Sequence, residues 1–223
     1  MNDTYGATGK KSRTISDFNE KIQMFKQVDK EGEQEVIGYF VSFNTHLDEH
    51  AWNKSASDLV EINEENYTPD GGTALQDTVV FVLKKLKEEL KLEEKDAVLV
   101  SIITDGEENS SIKYSGPPGA FAVKQLIEEL QATGKWTITY IGANQNVEAL
   151  ADKYGLLRAN CAAYTSDTAQ TSGAAYNATN QRAKKYFTNR SRGMTASNNF
   201  LSDTNDQIAD YTDLKEEESH PQS

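Results

Sequence analysis

Apolar residues recur along this chain in two alternating rhythms, one helical and one of short extended runs. Ile15, Phe18, Ile22, Phe25 and Val28 fall at helical spacing behind Thr14-x-x-Asp17, a capping-box pattern, and predict a first helix ending near Lys30-Glu31-Gly32. Residues 36–43 are β-branched and aromatic and read as a strand; residues 59–62 read as a short one, with a polar, hairpin-like stretch at 46–57 between them. After Pro69-Asp70-Gly71-Gly72, the residues Leu75, Val79, Val82, Leu83, Leu86 and Leu90 form one helical stripe, with Lys84 and Glu88 four apart on the other side. Residues 97–104 (AVLVSIIT) are nearly continuous in apolar side chains, which predicts a strand covered on both faces and marks it as the candidate central strand. A Gly and Pro loop at 115–119 then leads to a helix carrying Phe121, Leu126, Ile127 and Leu130. A strand at 136–141, a short helix at 147–154, a brief strand near 161–164 and a long polar helix from about 168 to 187 follow.

Strands that alternate with helices argue for an α/β fold with a mostly parallel, doubly wound sheet, whose ligands sit at the carboxyl ends of strands. The domain is expected to span residues 1–187. From Thr188 the composition shifts to Asn, Ser, Thr, Asp and Gly, with Phe200, Leu201, Ile208, Tyr211 and Leu214 as scattered apolar residues and an acidic run at 213–218. So sparse a set cannot offset the entropy of ordering, so residues 188–223 are expected to form a disordered tail. No internal repeat is present.

Composition narrows the function classes. A chain of 223 residues holds one α/β domain plus a tail. Lys plus Arg number 23 against 35 Asp plus Glu, a net charge of −12, and the basic clusters are interleaved with acids or spread along helices. That distribution repels a phosphate backbone and argues against nucleic acid as a partner. The longest apolar runs fall far short of the roughly 20 residues that a bilayer-crossing helix needs, so no membrane role is expected. A single Cys161 excludes an intrachain disulfide framework, and no signal-peptide pattern opens the sequence; a reducing, cytoplasmic setting is expected.

Two segments combine strand or helix ends with hard oxygen ligands. They are Asp105-Gly106-Glu107-Glu108-Asn109, directly after the apolar strand, and Gly71-Gly72-Thr73, at the start of the second helix. One Thr hydroxyl and one Asp could supply part of a Mg²⁺ site. Each also has a bland reading: Thr73 with Gln76 is a capping box, and Asp105-Gly106 is a common turn pair. Other candidates are weaker. His46-x-x-x-His50 lacks the following Glu of a zincin, Cys161 has no adjacent His and reads as core, and Trp52 and Trp136 read as packing.

The order and wording of these pieces resemble the von Willebrand factor type A domain, particularly its stand-alone bacterial and phage versions. The matching runs are Thr68-Pro69-Asp70-Gly71-Gly72-Thr73-Ala74-Leu75, Ile103-Thr104-Asp105-Gly106-Glu107-Glu108-Asn109, and Tyr140-Ile141-Gly142-Ala143-Asn144 followed by a helix and Tyr154-Gly155-Leu156. The resemblance implies a Rossmann-like fold in which Thr73 and Asp105 are the second and third elements of a metal-ion-dependent adhesion site. There a cation, Mg²⁺ or else Mn²⁺ or Ca²⁺, is completed by the acidic side chain of a protein partner. Family members open with a buried strand ending in Asp-x-Ser-x-Ser, whereas this sequence begins Met1-Asn2-Asp3-Thr4 where the residue after that motif would stand. The first central strand and its ligands are thus missing from the sequence as given, and the expectation is that the functional protein has residues this sequence lacks. With Thr73 and Asp105 alone, cation binding is expected to be weak or absent. The strands at 36–43 and 97–104, which flank the family's first strand, must then pair directly or leave backbone groups unsatisfied.

The resemblance implies a non-catalytic, metal-assisted protein interaction module. Two readings compete with it: a Mg²⁺-dependent phosphohydrolase using Asp105, with Glu107 or Glu108 as the second carboxylate, and a metal-free adaptor. The first lacks a strand-end Lys and a Walker-type phosphate loop.

Overall fold

A computed structural model describes residues 7–31, 34–69, 71–164 and 169–201. The elements run α1 (Ala7–Lys30), β1 (Ile37–Phe43), β2 (Leu47–Ser55), α2 (Leu75–Glu89), β3 (Val98–Thr104), α3 (Gly116–Gln131), β4 (Trp136–Ala143), α4 (Val147–Tyr154), β5 (Cys161–Tyr164) and α5 (Ala169–Ser191). The fold is α/β, with a parallel sheet of order β3-β4-β5 flanked by helices and an antiparallel pair β1-β2. No helix among the described residues is long and apolar enough to cross a membrane.

The helices that follow the apolar stripes form for the expected reason. Leu75, Val79, Leu83 and Leu86 of α2 and Val123, Ile127 and Leu130 of α3 are buried in one cluster with Ile138 and Tyr140 of β4. Burying such side chains contributes about 1.5–3 kcal/mol each relative to exposure.

Four expectations need correction. The central strand of the parallel sheet is β4, buried at all eight positions, whereas β3 is its edge and most of its residues are half-exposed. Continuous apolarity was a true mark of a strand but not of its rank, because β3 is covered by helices on its faces rather than by strands on both sides. Thr14 and Asp17 do not start α1; seven residues precede Thr14 within the helix, and Asp17 is fully buried. The hairpin-like stretch is the strand β2, whose charged Asp48, Glu49 and Lys54 conceal it because its stability comes from pairing with β1 rather than from its own pattern. Residues 59–62 are not a strand: the Asn19 amide brackets Ile62, donating to its carbonyl (2.8 Å) and accepting from its N–H (2.9 Å), in place of a ladder.

The boundary expected at Thr188 falls inside α5. Beyond that helix Ser197 N–H donates to Thr137 Oγ1 (2.8 Å), Phe200 N–H donates to the fully buried Asn160 Oδ1 (2.6 Å), and Phe200 packs with Met24, Ala183 and Tyr186. A few polar anchors therefore seat residues 194–201 despite their composition. The rest of the expected tail, 202–223, lies outside the described residues.

The strands β1 and β3 do not pair with each other: β1 pairs with β2, and β3 with β4.

Candidate functional site

The segment before α2 and the loop after β3 are locked together. Asn109 N–H and Ser110 N–H donate to the Thr73 carbonyl (3.1 and 3.2 Å), and Thr73 N–H donates to Asn109 Oδ1 (2.8 Å). This approach requires two glycines. A Cβ on Gly72 would overlap Ser110 Oγ and Asn109 Oδ1, and one on Gly106 would overlap the Thr73 hydroxyl. The Gly-Gly-Thr and Thr-Asp-Gly runs are thus two halves of one contact.

Thr73 does not cap α2. The N-cap is Ala74, with no side-chain cap of its own. The first N–H groups of the helix are served from the loop instead: Gln76 N–H donates to Glu108 Oε2 (2.7 Å) and Asp77 N–H to Ser111 Oγ (3.0 Å). A carboxylate at a helix N-terminus is favoured by both the orphan donors and the dipole. Glu108 Oε1 also accepts from Ser110 N–H and Ser111 N–H, and Oε2 from Ser111 Oγ (2.7 Å). Asp77 returns the favour, accepting from the N–H groups of Ile112 (2.8 Å), Lys113 (3.1 Å) and Tyr114 (2.6 Å). Desolvation raises the Asp77 carboxyl, but these three bonds and the Lys113 charge outweigh it and hold it below the ordinary aspartate range. On the other flank Gln145 Nε2 donates to the Gly106 carbonyl (2.8 Å) while its Oε1 accepts from Tyr140 Oη (2.7 Å).

The Glu108 and Asp77 carboxylates are therefore committed to the loop and to the start of α2. The Thr73 hydroxyl and the exposed carboxylates of Asp105 and Glu107 hydrogen-bond to no described residue. The approach of Gly106 to Thr73 places the segment carrying Asp105 beside that hydroxyl, at the carboxyl end of β3. Tyr67 closes the neighbourhood: burial first, and the Asp105 charge second, hold its phenol above the ordinary value, while a hydrogen bond with Thr14 pulls it back. Tyr67 carried no signal in the sequence, since it stands alone in a polar stretch with no periodicity. The structural roles of Asp77 and Glu108 were equally hidden, because acids near a helix start and in a turn look solvated when only sequence distance is known.

The donor set is small. Among the described residues no group of three or more His, Cys, Asp or Glu could hold a metal ion. Two oxygens, one hydroxyl and one carboxylate, suit a hard cation that keeps most of its waters. A groove of about 590 Å³ lies alongside, lined by Gln76, Asn109, Phe121, Lys124 and Lys153 among others, but not by Thr73 or Asp105. The second carboxylate of a phosphohydrolase is not provided by Glu108, whose two oxygens are occupied by backbone and Ser111 donors.

No family model and no curated protein matches the chain.

Proposed function

We propose that this chain is a non-catalytic, divalent-cation-assisted protein interaction module of the von Willebrand factor type A kind, acting in the cytoplasm. In this reading β2, β1, β3, β4 and β5 belong to one Rossmann-like, doubly wound sheet. Thr73 and Asp105 hold a hydrated Mg²⁺, with Mn²⁺ or Ca²⁺ as substitutes, and a partner's acidic side chain completes the shell. The observation that carries the reading is the contrast at the carboxyl edge: the Glu108 and Asp77 carboxylates are spent on the loop and on α2, whereas the Thr73 hydroxyl and the exposed Asp105 carboxylate bond to no described residue, and Gly106 brings the segment that carries Asp105 against Thr73. The cytoplasmic assignment is supported by the lone Cys161, a free thiol that burial pushes up to about 11.

So few ligands imply weak binding. A cation at a concentration near its dissociation constant stabilises a protein by roughly 0.4 kcal/mol, worth about 1 °C in a domain of this size. Mg²⁺ at 10 mM is expected to raise the melting temperature by about that amount, and Asp105→Asn to remove the rise. A rise unchanged by Asp105→Asn overturns the placement. Turnover of p-nitrophenyl phosphate that depends on Asp105 would instead establish the phosphohydrolase.

A further inference from the structure

The groove beside the 105–115 loop joins three pieces of different chemistry: the start of α2 with the loop itself, the first two turns of α3, and the last turn of α4. The α3 side is apolar because of its backbone. Pro117 and Pro118 stand in the first turn with no N–H to offer, and Gly119 N–H donates to the Ser115 carbonyl (3.4 Å). That side presents Pro117, Ala120 and Phe121, the last 60% exposed. Between the lining residues Ser111 and Ser115 the chain also holds out Ile112, 87% exposed, on a turn that Asp77 pins through three N–H groups. A lone exposed apolar side chain is ordinary, but two large ones beside one groove mark a surface that takes a partner.

Four charged side chains line the groove, Glu108, Lys124, Asp152 and Lys153, and the two acids are already engaged. Glu108 serves the N–H groups of Gln76, Ser110 and Ser111 and the Ser111 hydroxyl. Asp152 is held by Arg158 through two bonds, Nε to Oδ1 (3.2 Å) and Nη2 to Oδ2 (2.7 Å). The two ammoniums are not. The Lys124 stem lies along Gly155, where a Cβ would come within 3.0 Å of its Cγ, and its Nζ donates to the Asp152 carbonyl (3.3 Å). Glu128 is 3.7 Å from that ammonium in an exposed i,i+4 pair, which adds little. Lys153 lies over the Tyr154 ring (5.0 Å to its centroid) and forms no ion pair with a described residue. Pro117, Phe121 and Lys124 follow one another at i, i+4 and i+7 on α3, so the apolar side and the first ammonium are about one helical turn apart.

We propose that this groove docks an acidic linear segment of a partner protein, with a large apolar or aromatic side chain against Pro117 and Phe121 and carboxylates on Lys124 and Lys153. Charge selects the occupant. A chain of net charge −12 repels acidic ligands in general, so a place where its own carboxylates are engaged and two ammoniums are not is selective for one. At 0.1 M salt the Debye length is about 10 Å, which screens the distant acids and leaves these two lysines to decide. In an extended segment one or two residues, at roughly 3.3 Å each, cover the step from Phe121 to Lys124. Thr73 and Asp105 do not line the groove, so the inference does not rest on the cation reading.

The test uses the full chain in EDTA and a fluorescein-labelled peptide, Gly-Ser-Leu-Trp-Asp-Glu-Asp-Ser-Gly. One control carries Asn-Gln-Asn for the acids and another Ser-Ser for Leu-Trp. The acidic peptide is expected to bind with a Kd of about 100 µM or tighter in 0.1 M NaCl, in keeping with a small surface, and to shift the amide signals of Phe121, Lys124 and Lys153 first. Each control should bind at least tenfold more weakly. Lys153→Glu and Phe121→Ser, both at exposed positions, should each weaken binding at least tenfold, and Asp105→Asn should leave it unchanged. No binding, equal binding of the three peptides, indifference to Lys153→Glu, or shifts that begin outside the groove overturn the proposal and leave the Thr73 and Asp105 reading standing. Binding that needs a divalent cation or is lost in Asp105→Asn overturns it by moving the peptide to the cation site. Dimerisation that Phe121→Ser abolishes would assign the groove to a second copy. A full-length variant with Glu216→Gln, Glu217→Gln and Glu218→Gln that binds the peptide at least tenfold tighter would assign it to the chain's own acidic run. Either of these outcomes also overturns the proposed partner.

Discussion

The 105–115 loop and the buried face of α1 treat their charged groups in opposite ways. In the loop, Glu108 and Asp77 exchange caps across the start of α2, so that two carboxylates serve seven donors. On α1, Lys21 is 7% exposed and forms no ion pair with a described residue, and burial alone pulls its amine down to about 8. The loop is scaffolding held by Glu108 and Asp77, and the oxygens of Thr73, Asp105 and Glu107 are left unused by it. Acidity by itself therefore says little about function here: Glu108 is two residues past Gly106 and is structural, while Asp105, one residue before it, is not.

The largest effects should separate these carboxylates. Glu108→Ala removes a charged cap and leaves the Gln76, Ser110 and Ser111 N–H groups without their partner, and should cost about 3 kcal/mol in urea unfolding. A loss below about 1 kcal/mol would dissolve the contrast. On α1 the sign reverses. Lys21→Met should stabilise the protein at pH 7 by about 2 kcal/mol, because it removes a buried charge without breaking a pair. The folded-state amine, lowered from 10.5 to about 8, binds fewer protons than the unfolded one across that window. Wild-type stability should accordingly rise with pH between about 8 and 10.5, and the variant should lack that rise.

A smaller effect tests the return cap. The Asp77 carboxyl is held below its unfolded value, so its contribution is present above the unfolded pKa and is lost as pH falls through the folded one. Comparison of acid melts should show part of the wild-type loss below about pH 4 missing from Asp77→Asn. Smallest of all, Asp105→Ala should change stability by less than about 0.5 kcal/mol, as expected of an exposed side chain that caps nothing. A cost near that of Glu108→Ala would make Asp105 part of the scaffold.

What the sequence disclosed follows the same division. The stripes of α2 and α3 were legible because burial on one helical face imposes a period, and the Gly-Gly-Thr and Thr-Asp-Gly runs stood out because they put hard oxygen ligands at the ends of a helix and a strand; that their glycines lie against Ser110, Asn109 and Thr73 was not legible, since it depends on which loops meet. β2 was not, since an outer antiparallel strand takes its order from its neighbour. The rank of β4 over β3 was not, since apolarity does not report which edges are paired. Nor was the burial of Asp17 and Lys21, two charged residues whose environment is set by what α1 covers rather than by what surrounds them in the chain.

The claim that Thr73 and Asp105 together hold a cation is tested most directly by paramagnetic broadening. Mn²⁺ at substoichiometric amounts, titrated into isotopically labelled full-length chain, should broaden the amide signals of Thr73, Asp105 and Gly106 before those of any other acidic stretch, and Asp105→Asn should abolish that order. Broadening that begins elsewhere, or that persists at Thr73 and Gly106 in Asp105→Asn, would contradict it.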